Sequence, residues 1–128
     1  MDSISRIDAK RMREIIRSVN AQDIQLVLEL MAFYRLRLSE VLSVRKTDIR
    51  NDGIIMHKTK TISAHHQQLY VISKDTMQRL RQFTSSRQIG HRSLIFAVTR
   101  PSIIKAVKRL SEQHRMSLSV HSFRHLLK

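Results

Sequence analysis

Residues 24–44, IQLVLELMAFYRLRLSEVLSV, decide how this chain folds. Residues 24–34 are apolar almost all round, which predicts a helix that begins near Asp23 and is buried on several sides. The pattern pauses at Arg37, and a shorter helix is predicted to begin at Ser39, whose hydroxyl can cap it. The stretch therefore predicts two packed helices with an arginine between them.

The flanking sequence predicts further helices. Asp8 is a candidate N-cap for a helix that ends near Asn20. Another helix is predicted over residues 74–85, and TRPS at 99–102 fits a helix start because proline is tolerated in the first turn. Helical spacing predicts core positions at Met12, Ile15, Ile16 and Val19 in the first of these helices, and at Ile103, Ile104, Val107 and Leu110 in the last.

Residues 47–73 have the pattern of short antiparallel strands. A tight turn is predicted at Asn51–Gly53 and a longer loop around Ala64–Gln67. LIFAV at 94–98 is either a short buried strand or an extended core segment. The predicted fold class is α+β and mainly helical, with helices around a two- to three-stranded antiparallel sheet in one domain over 1–128.

The composition excludes several classes of protein. The 128 residues include no cysteine, one proline and two glycines, so a disulfide framework and a thiolate metal site are excluded. No apolar run approaches the ~18 residues of a membrane span, and the start of the chain lacks a secretion signal. We therefore expect a cytoplasmic protein with no membrane partner.

The net charge of +14 is unevenly distributed along the chain. Residues 1–52 carry ten Lys/Arg and eight Asp/Glu, whereas residues 53–128 carry fourteen and two. A surface that serves only solubility normally mixes both signs, so this imbalance favours nucleic acid as the partner. Lys105, Lys108 and Arg109 are predicted to lie off the apolar stripe of the last full helix and to contact the DNA backbone.

Arg37 has two interpretations. Glu40 follows three residues later, so the pair can be a structural ion pair. Alternatively, the guanidinium offers a planar fork of donors to phosphate oxygens and serves as an anion receptor.

The segment HSFRH near the end of the sequence places His121 and Arg124 one helical turn apart, at the predicted opening of another helix. A histidine can transfer protons near neutral pH, and an arginine beside it can stabilise a charged phosphate. Lys58 follows a predicted strand, where it is either solvated or able to protonate a leaving alkoxide.

These segments resemble the catalytic domain of the tyrosine recombinases, the phage-integrase family. The family pattern runs helix, apolar helix, T-G-L-R-x-S-E-L, a D-I, a β-hairpin bearing K-T, and H-x-L-R-H. From near Ile4 this chain follows the pattern with FYRLRLSEVLSVRKTDI, IIMHKTKT and HSFRHLL. The matching family positions are, in order, Arg37, Lys58, His121 and Arg124.

The resemblance implies a role for each of these residues. Arg37 and Arg124 would hold the non-bridging oxygens of a scissile DNA phosphate. His121 would assist proton transfer, and Lys58 would protonate the departing 5′ oxygen. In the family a tyrosine attacks the phosphate and forms a covalent 3′ link, and neither a metal nor another cofactor is needed.

The sequence departs from the family pattern at two of its motifs. Arg35 stands where the family has glycine and Tyr34 where threonine is usual, so Arg35 competes with Arg37 for the phosphate. Lys60 competes with Lys58 in the same way. Arg35 and Lys60 are therefore candidate DNA-binding residues.

The family's nucleophilic tyrosine would lie tens of residues after Lys128. Tyr34 and Tyr70 are not in positions to attack, so no nucleophile is assigned. The sequence is interpreted as a C-terminally truncated catalytic domain, without the N-terminal core-binding domain, that binds duplex DNA and is inactive alone. Such a truncation would uncover apolar surface and favour self-association, with the exposed residues expected to be Phe123, Leu126 and Leu127.

Three alternatives remain open at the level of sequence. The chain could be a DNA-binding module with a regulatory role, or it could pair with an intact recombinase and block the assembly of that recombinase. An intact protomer could also donate the missing tyrosine. Finally, the chain could be a basic nucleic-acid-binding protein unrelated to recombination. A metal site at His65–His66 is not expected, because adjacent residues of a strand point to opposite faces.

Overall fold

The computed structural model describes residues 7–59, 65–124 and 126–127. These residues form five α-helices, two 3₁₀ helices and two small sheets, which confirms the predicted mainly helical α+β class. In chain order the elements are β1 (Ile7–Asp8), α1 (Ala9–Arg17), α2 (Gln22–Tyr34), α3 (Leu38–Leu42), η1 (Lys46–Asp48), β2 (Gly53–Thr59), β3 (His65–Val71), α4 (Lys74–Ser86), α5 (Arg100–His114), η2 (Val120–Arg124) and β4 (Leu126–Leu127).

The chain divides into two compact units. Unit 1 contains the described residues of 1–41 and 98–128, and unit 2 contains those of 42–97. Within the described residues, no helix has both the length and the apolar character that crossing a bilayer requires.

The first helix of unit 1 begins where the sequence predicts. The Asp8 carboxylate accepts the backbone N–H of Arg11 at 2.8 Å and caps α1. The helix ends at Arg17 rather than near Asn20, because the Ser18 hydroxyl donates to a carbonyl of the last turn. The predicted core positions Met12, Ile15 and Ile16 are buried, whereas Val19 is half-buried.

Helix α2 forms the centre of unit 1. Its residues 26–32 are all buried, as expected for a helix that is apolar almost all round. Helix α3 begins at Leu38, so the prediction that Ser39 caps it is wrong. The carboxylate of Glu40 instead accepts the backbone N–H of Arg37 at 2.8 Å, which makes Arg37 the residue that precedes the helix.

Helix α5 has the predicted start but a narrower buried stripe. Thr99 caps it by accepting the N–H of Ser102, and Pro101 lies in the first turn. The prediction that Ile104 lies in the core is wrong, because this residue is 49% exposed. The buried stripe consists of Ile103, Val107 and Leu110.

The last described segment differs from the prediction of another α-helix. Residues 120–124 form the 3₁₀ helix η2, and β4 follows as a strand parallel to β1, with Ile7 opposite Leu126. Phe123 is fully buried, so the expectation that its ring is exposed is wrong. The side chains of Leu126 and Leu127 lie outside the described part of the structure.

The antiparallel sheet of unit 2 confirms the predicted hairpin. Strands β2 and β3 pair from Gly53 opposite Val71 to Thr59 opposite His65. The predicted turn at residues 51–53 is closed by the N–H of Arg50 donating to the Gly53 carbonyl at 2.8 Å. The prediction of a loop at residues 65–67 is wrong, because these residues belong to β3, and Ala64 lies outside the described residues.

The rest of unit 2 includes helix α4 and the segment that follows it. Helix α4 confirms the helix predicted over 74–85, and Ser73 caps it. Residues 94–97 form no strand apart from the bridge between Leu94 and Arg45, and Ile95 and Phe96 are buried, so the second of the two predicted alternatives, a core segment, fits better. The rings of Phe83 and Phe96 lie 5.6 Å apart in the core of this unit.

Candidate nucleic-acid interface

Arg37 lies in unit 1 between the end of α2 and the start of α3, and it is exposed. An exposed guanidinium keeps its hydration, so Arg37 needs no buried partner to offset a loss of water. Glu40 binds the backbone N–H of Arg37, and among the described residues no ion pair joins the Arg37 guanidinium to a carboxylate. The fork of donors on Arg37 therefore faces solvent, where an anion can reach it.

Arg35 adopts the left-handed conformation, with φ 54° and ψ 35°, as the residue that ends α2. This conformation is the one that favours glycine, which is the family residue at this position. The turn between α2 and Arg37 is therefore built with an arginine instead of a glycine. For an L-residue other than glycine this conformation costs about 1 kcal/mol.

Replacing Arg35 by Gly should remove this cost. We expect Arg35→Gly to be more stable than Arg35→Ala by about 1 kcal/mol, because both variants lose the same side chain but only glycine relaxes the backbone. The difference is measured by urea unfolding followed by circular dichroism. Equal stability of the two variants would contradict the left-handed turn.

His121 and Arg124 belong to η2. A 3₁₀ helix has about three residues per turn, so the two positions lie one full turn apart along the chain. His121 is exposed. Between them the fully buried Phe123 fixes η2, which packs against both α2 and α5.

Helix α2 is the element that the two motifs of unit 1 share. Arg37 follows its C-terminal end by three residues, and η2 packs on the same helix. The Arg37 motif and the His121–Arg124 motif, which are more than eighty positions apart in sequence, thus belong to one compact unit.

Lys58 belongs to unit 2. It lies near the end of β2, where its register partner in β3 is His66. Lys60, its competitor, lies outside the described residues. The choice between the two lysines stays a prediction from sequence.

Helix α5 presents a cationic face. Lys105, Lys108 and Arg109 are all exposed, and Glu112 is the single acidic residue in the helix sequence. Successive residues of an α-helix are 1.5 Å apart along its axis, so these three cations lie within about 6 Å of helix length. This face is therefore suited to a polyanion.

The sequence matches no protein-family model and no curated protein. The fold, however, is similar to solved structures. The XerA recombinase structure matches with a TM-score of 0.73 and 12% identity, over 94% of this chain and 47% of that one. The integrase from mycobacterium phage Brujita matches with a TM-score of 0.68 and 15% identity, over 98% of this chain and 43% of that one.

The chain thus spans a little under half the length of the two solved structures it matches. At 12% and 15% identity, the similarity concerns the fold and not the residues of a site. This similarity of fold confirms, for the fold, the resemblance inferred from the sequence motifs. The chain therefore has a tyrosine-recombinase and integrase-like fold.

Proposed function

We propose that this chain binds duplex DNA through its phosphates, as a domain used in site-specific DNA recombination or integration. The observation that carries the proposal is the exposed Arg37 guanidinium, which has no ion pair among the described residues. The net charge of +14 supports a polyanionic partner, and the recombinase-like fold supports DNA in particular.

In this proposal the planar guanidinium of Arg37 donates hydrogen bonds to the non-bridging oxygens of a backbone phosphate. Arg124 adds a second guanidinium, and His121 places an exposed imidazole one turn away on η2. Lys58 belongs to unit 2, and its proposed role, protonation of a departing 5′ oxygen, applies only where an attacking oxygen is supplied from elsewhere. No metal or other cofactor takes part in this scheme.

We further propose that these 128 residues bind a DNA phosphate without breaking its ester bond. Breaking it by covalent catalysis requires an attacking oxygen near the phosphorus. The sequence contains two tyrosines. Tyr34 ends α2 and Tyr70 lies in β3 opposite Ile54, and both are half-buried. We assign neither as the nucleophile.

A trapping experiment tests this part of the proposal. The 128-residue chain is incubated with a nicked DNA duplex. Cleavage close to the nick would release a short fragment and so prevent religation, and any covalent protein–DNA adduct would accumulate. The adduct is then sought on a denaturing gel. We expect no adduct. An adduct that disappears in Tyr34→Phe or Tyr70→Phe would show that the chain cleaves DNA.

The α5 face provides a separate prediction about DNA affinity. Lys105→Gln should reduce the slope of log affinity against log salt concentration by about 0.9, because one counterion-releasing phosphate contact is lost. The slope is measured by fluorescence anisotropy with a labelled duplex. Lys10→Gln, which removes an exposed lysine from α1, is the matched control and should leave the slope unchanged. Equal slopes for both variants would exclude α5 from the interface.

A further inference from the structure

We propose that unit 2 carries a second DNA-phosphate contact surface, formed by Arg45, Lys46, His91 and Arg92 and called here the 45/92 cluster. The inference rests on the proposed function, since it assumes that duplex DNA is the partner. It uses none of the residues proposed to bind the phosphate in unit 1. Its basis is a backbone pairing that brings together cations from two distant parts of the sequence.

Two segments of unit 2 run antiparallel to each other, residues 44–47 and residues 91–95. This pairing places the Arg45–Lys46 pair beside the His91–Arg92 pair. The hydrogen bonds that join the segments run from Lys46 N–H to the Ser93 carbonyl (3.0 Å), from Thr47 N–H to the His91 carbonyl (2.9 Å) and from Ile95 N–H to the Val44 carbonyl (3.0 Å).

A tight turn directs one half of the 45/92 cluster outward. The N–H of Ser93 donates to the Gly90 carbonyl at 3.0 Å, so His91 and Arg92 are the two central residues of the turn. Both are exposed. The Nη1 of Arg45 donates to the Arg92 carbonyl at 2.7 Å, which holds the Arg45 guanidinium against the same turn.

No acidic side chain of the described residues is ion-paired with the 45/92 cluster. Asp48 is near in sequence, but it is 4% exposed and both its oxygens are engaged. Oδ2 accepts the backbone N–H of Arg45 at 2.9 Å, and Oδ1 lies 2.7 Å from Nε2 of His57. Backbone hydrogen bonds thus hold like charges together without a neutralising carboxylate.

Such an arrangement is unfavourable in the free protein and is relieved when an anion binds, because like charges that share a surface repel each other. Guanidinium groups match the geometry of phosphate oxygens, and the two arginines of the 45/92 cluster supply two of them. Unit 2 as a whole has ten Lys/Arg and three Asp/Glu, which favours a long polyanion over a single small anion.

Two single substitutions test the 45/92 cluster, Lys46→Gln and Arg92→Gln. Their hydrogen bonds in the pairing come from backbone atoms, so both variants should keep the fold. The matched control is Lys74→Gln, which removes an exposed lysine of the same unit at the start of α4. Binding of a labelled random-sequence duplex is measured by anisotropy as a function of salt, after circular dichroism has verified the fold.

We expect each cluster variant to lower the salt slope by about 0.9 and the affinity at 0.1 M salt by about eightfold, with Lys74→Gln unchanged in slope. If the cluster variants match Lys74→Gln while Arg37→Ala binds weakly, the 45/92 cluster is not a DNA surface and the proposed function stands. If the cluster variants bind weakly while Arg37→Ala binds normally, the cluster stands and the unit 1 phosphate site fails. Absence of binding by the wild-type chain would overturn both, and an acidic protein would then be the partner to test.

Discussion

Replacing Arg37 by Ala should weaken the binding of duplex DNA by about 10- to 100-fold. Hydrogen bonds to charged groups contribute about 1.5–3 kcal/mol, and about 1.4 kcal/mol corresponds to a tenfold change in affinity. The exposed Arg37 guanidinium has no ion pair to break among the described residues, so little of its binding energy is lost in releasing it from the protein. Dissociation constants are measured by anisotropy at constant salt.

Two further variants separate geometry from charge. Arg37→Lys keeps the positive charge but loses the planar fork, so its affinity should fall between those of Arg37→Ala and the wild-type chain. Arg17→Ala removes an exposed arginine from the last turn of α1 and should remain close to wild type. If Arg37→Ala and Arg17→Ala weaken binding equally, Arg37 contributes only net charge and the proposed phosphate site is wrong.

The folded state of Arg37→Ala is expected to be close to that of the wild-type chain. The bond that orders the start of α3 joins the Glu40 carboxylate to the backbone N–H of residue 37, and alanine retains that N–H. A loss of DNA affinity in this variant therefore reports on the guanidinium. Thermal unfolding of both proteins checks this expectation.

The elements that sequence predicted well are those fixed by local chemistry. The Asp8 cap, the apolar α2 and the turn at residues 51–53 each depend on residues within a few positions of one another. The parallel pairing of β1 with β4 depends on segments more than a hundred residues apart, and two-residue strands have no periodicity to detect. It could not be predicted from the sequence.

The form of η2 was missed for a related reason. Spacing alone shows that His121 and Arg124 lie one turn apart, but it does not distinguish an α-helix from a 3₁₀ helix. Tertiary packing determines which of the two helices forms, because Phe123 is fully buried and η2 packs against α2 and α5. The same limit explains Ile104, whose helical position fits the core stripe although the side chain remains 49% exposed.

The candidate site was predicted in part. Motif order singled out Arg37, His121 and Arg124, and all three belong to unit 1. Their phosphate-binding role and that of Lys58 remain predictions. The 45/92 cluster had no sequence signal, because Arg45 and Arg92 are separated by an entire hairpin and a helix. Their proximity follows from backbone hydrogen bonds between segments that are far apart in the sequence, which a linear charge count does not detect.

Gly53→Ala should be the most destabilising conservative substitution in unit 2. A Cβ added to Gly53 would lie 2.1 Å from the carbonyl oxygen of Tyr70 and 2.9 Å from its carbonyl carbon. These atoms belong to the backbone of β3, so no side-chain rotation can relieve the overlap. The first pair of the hairpin, Gly53 with Val71, would have to separate. We expect a loss of about 3 kcal/mol in the free energy of unfolding, near the upper end for overpacking.

Gly90→Ala is the matched control, since it adds the same methyl group to the other glycine of the chain. Its Cβ would lie 3.1 Å from the Ser93 hydroxyl oxygen, which can move aside by rotation of a side chain. This variant should lose much less stability than Gly53→Ala in urea unfolding. Similar stabilities for both variants would mean that the two strands do not approach closely at residue 53, and the register of the hairpin would then be wrong. Because that register also places Lys58 opposite His66, the same result would remove the structural basis for assigning Lys58 its position on the hairpin.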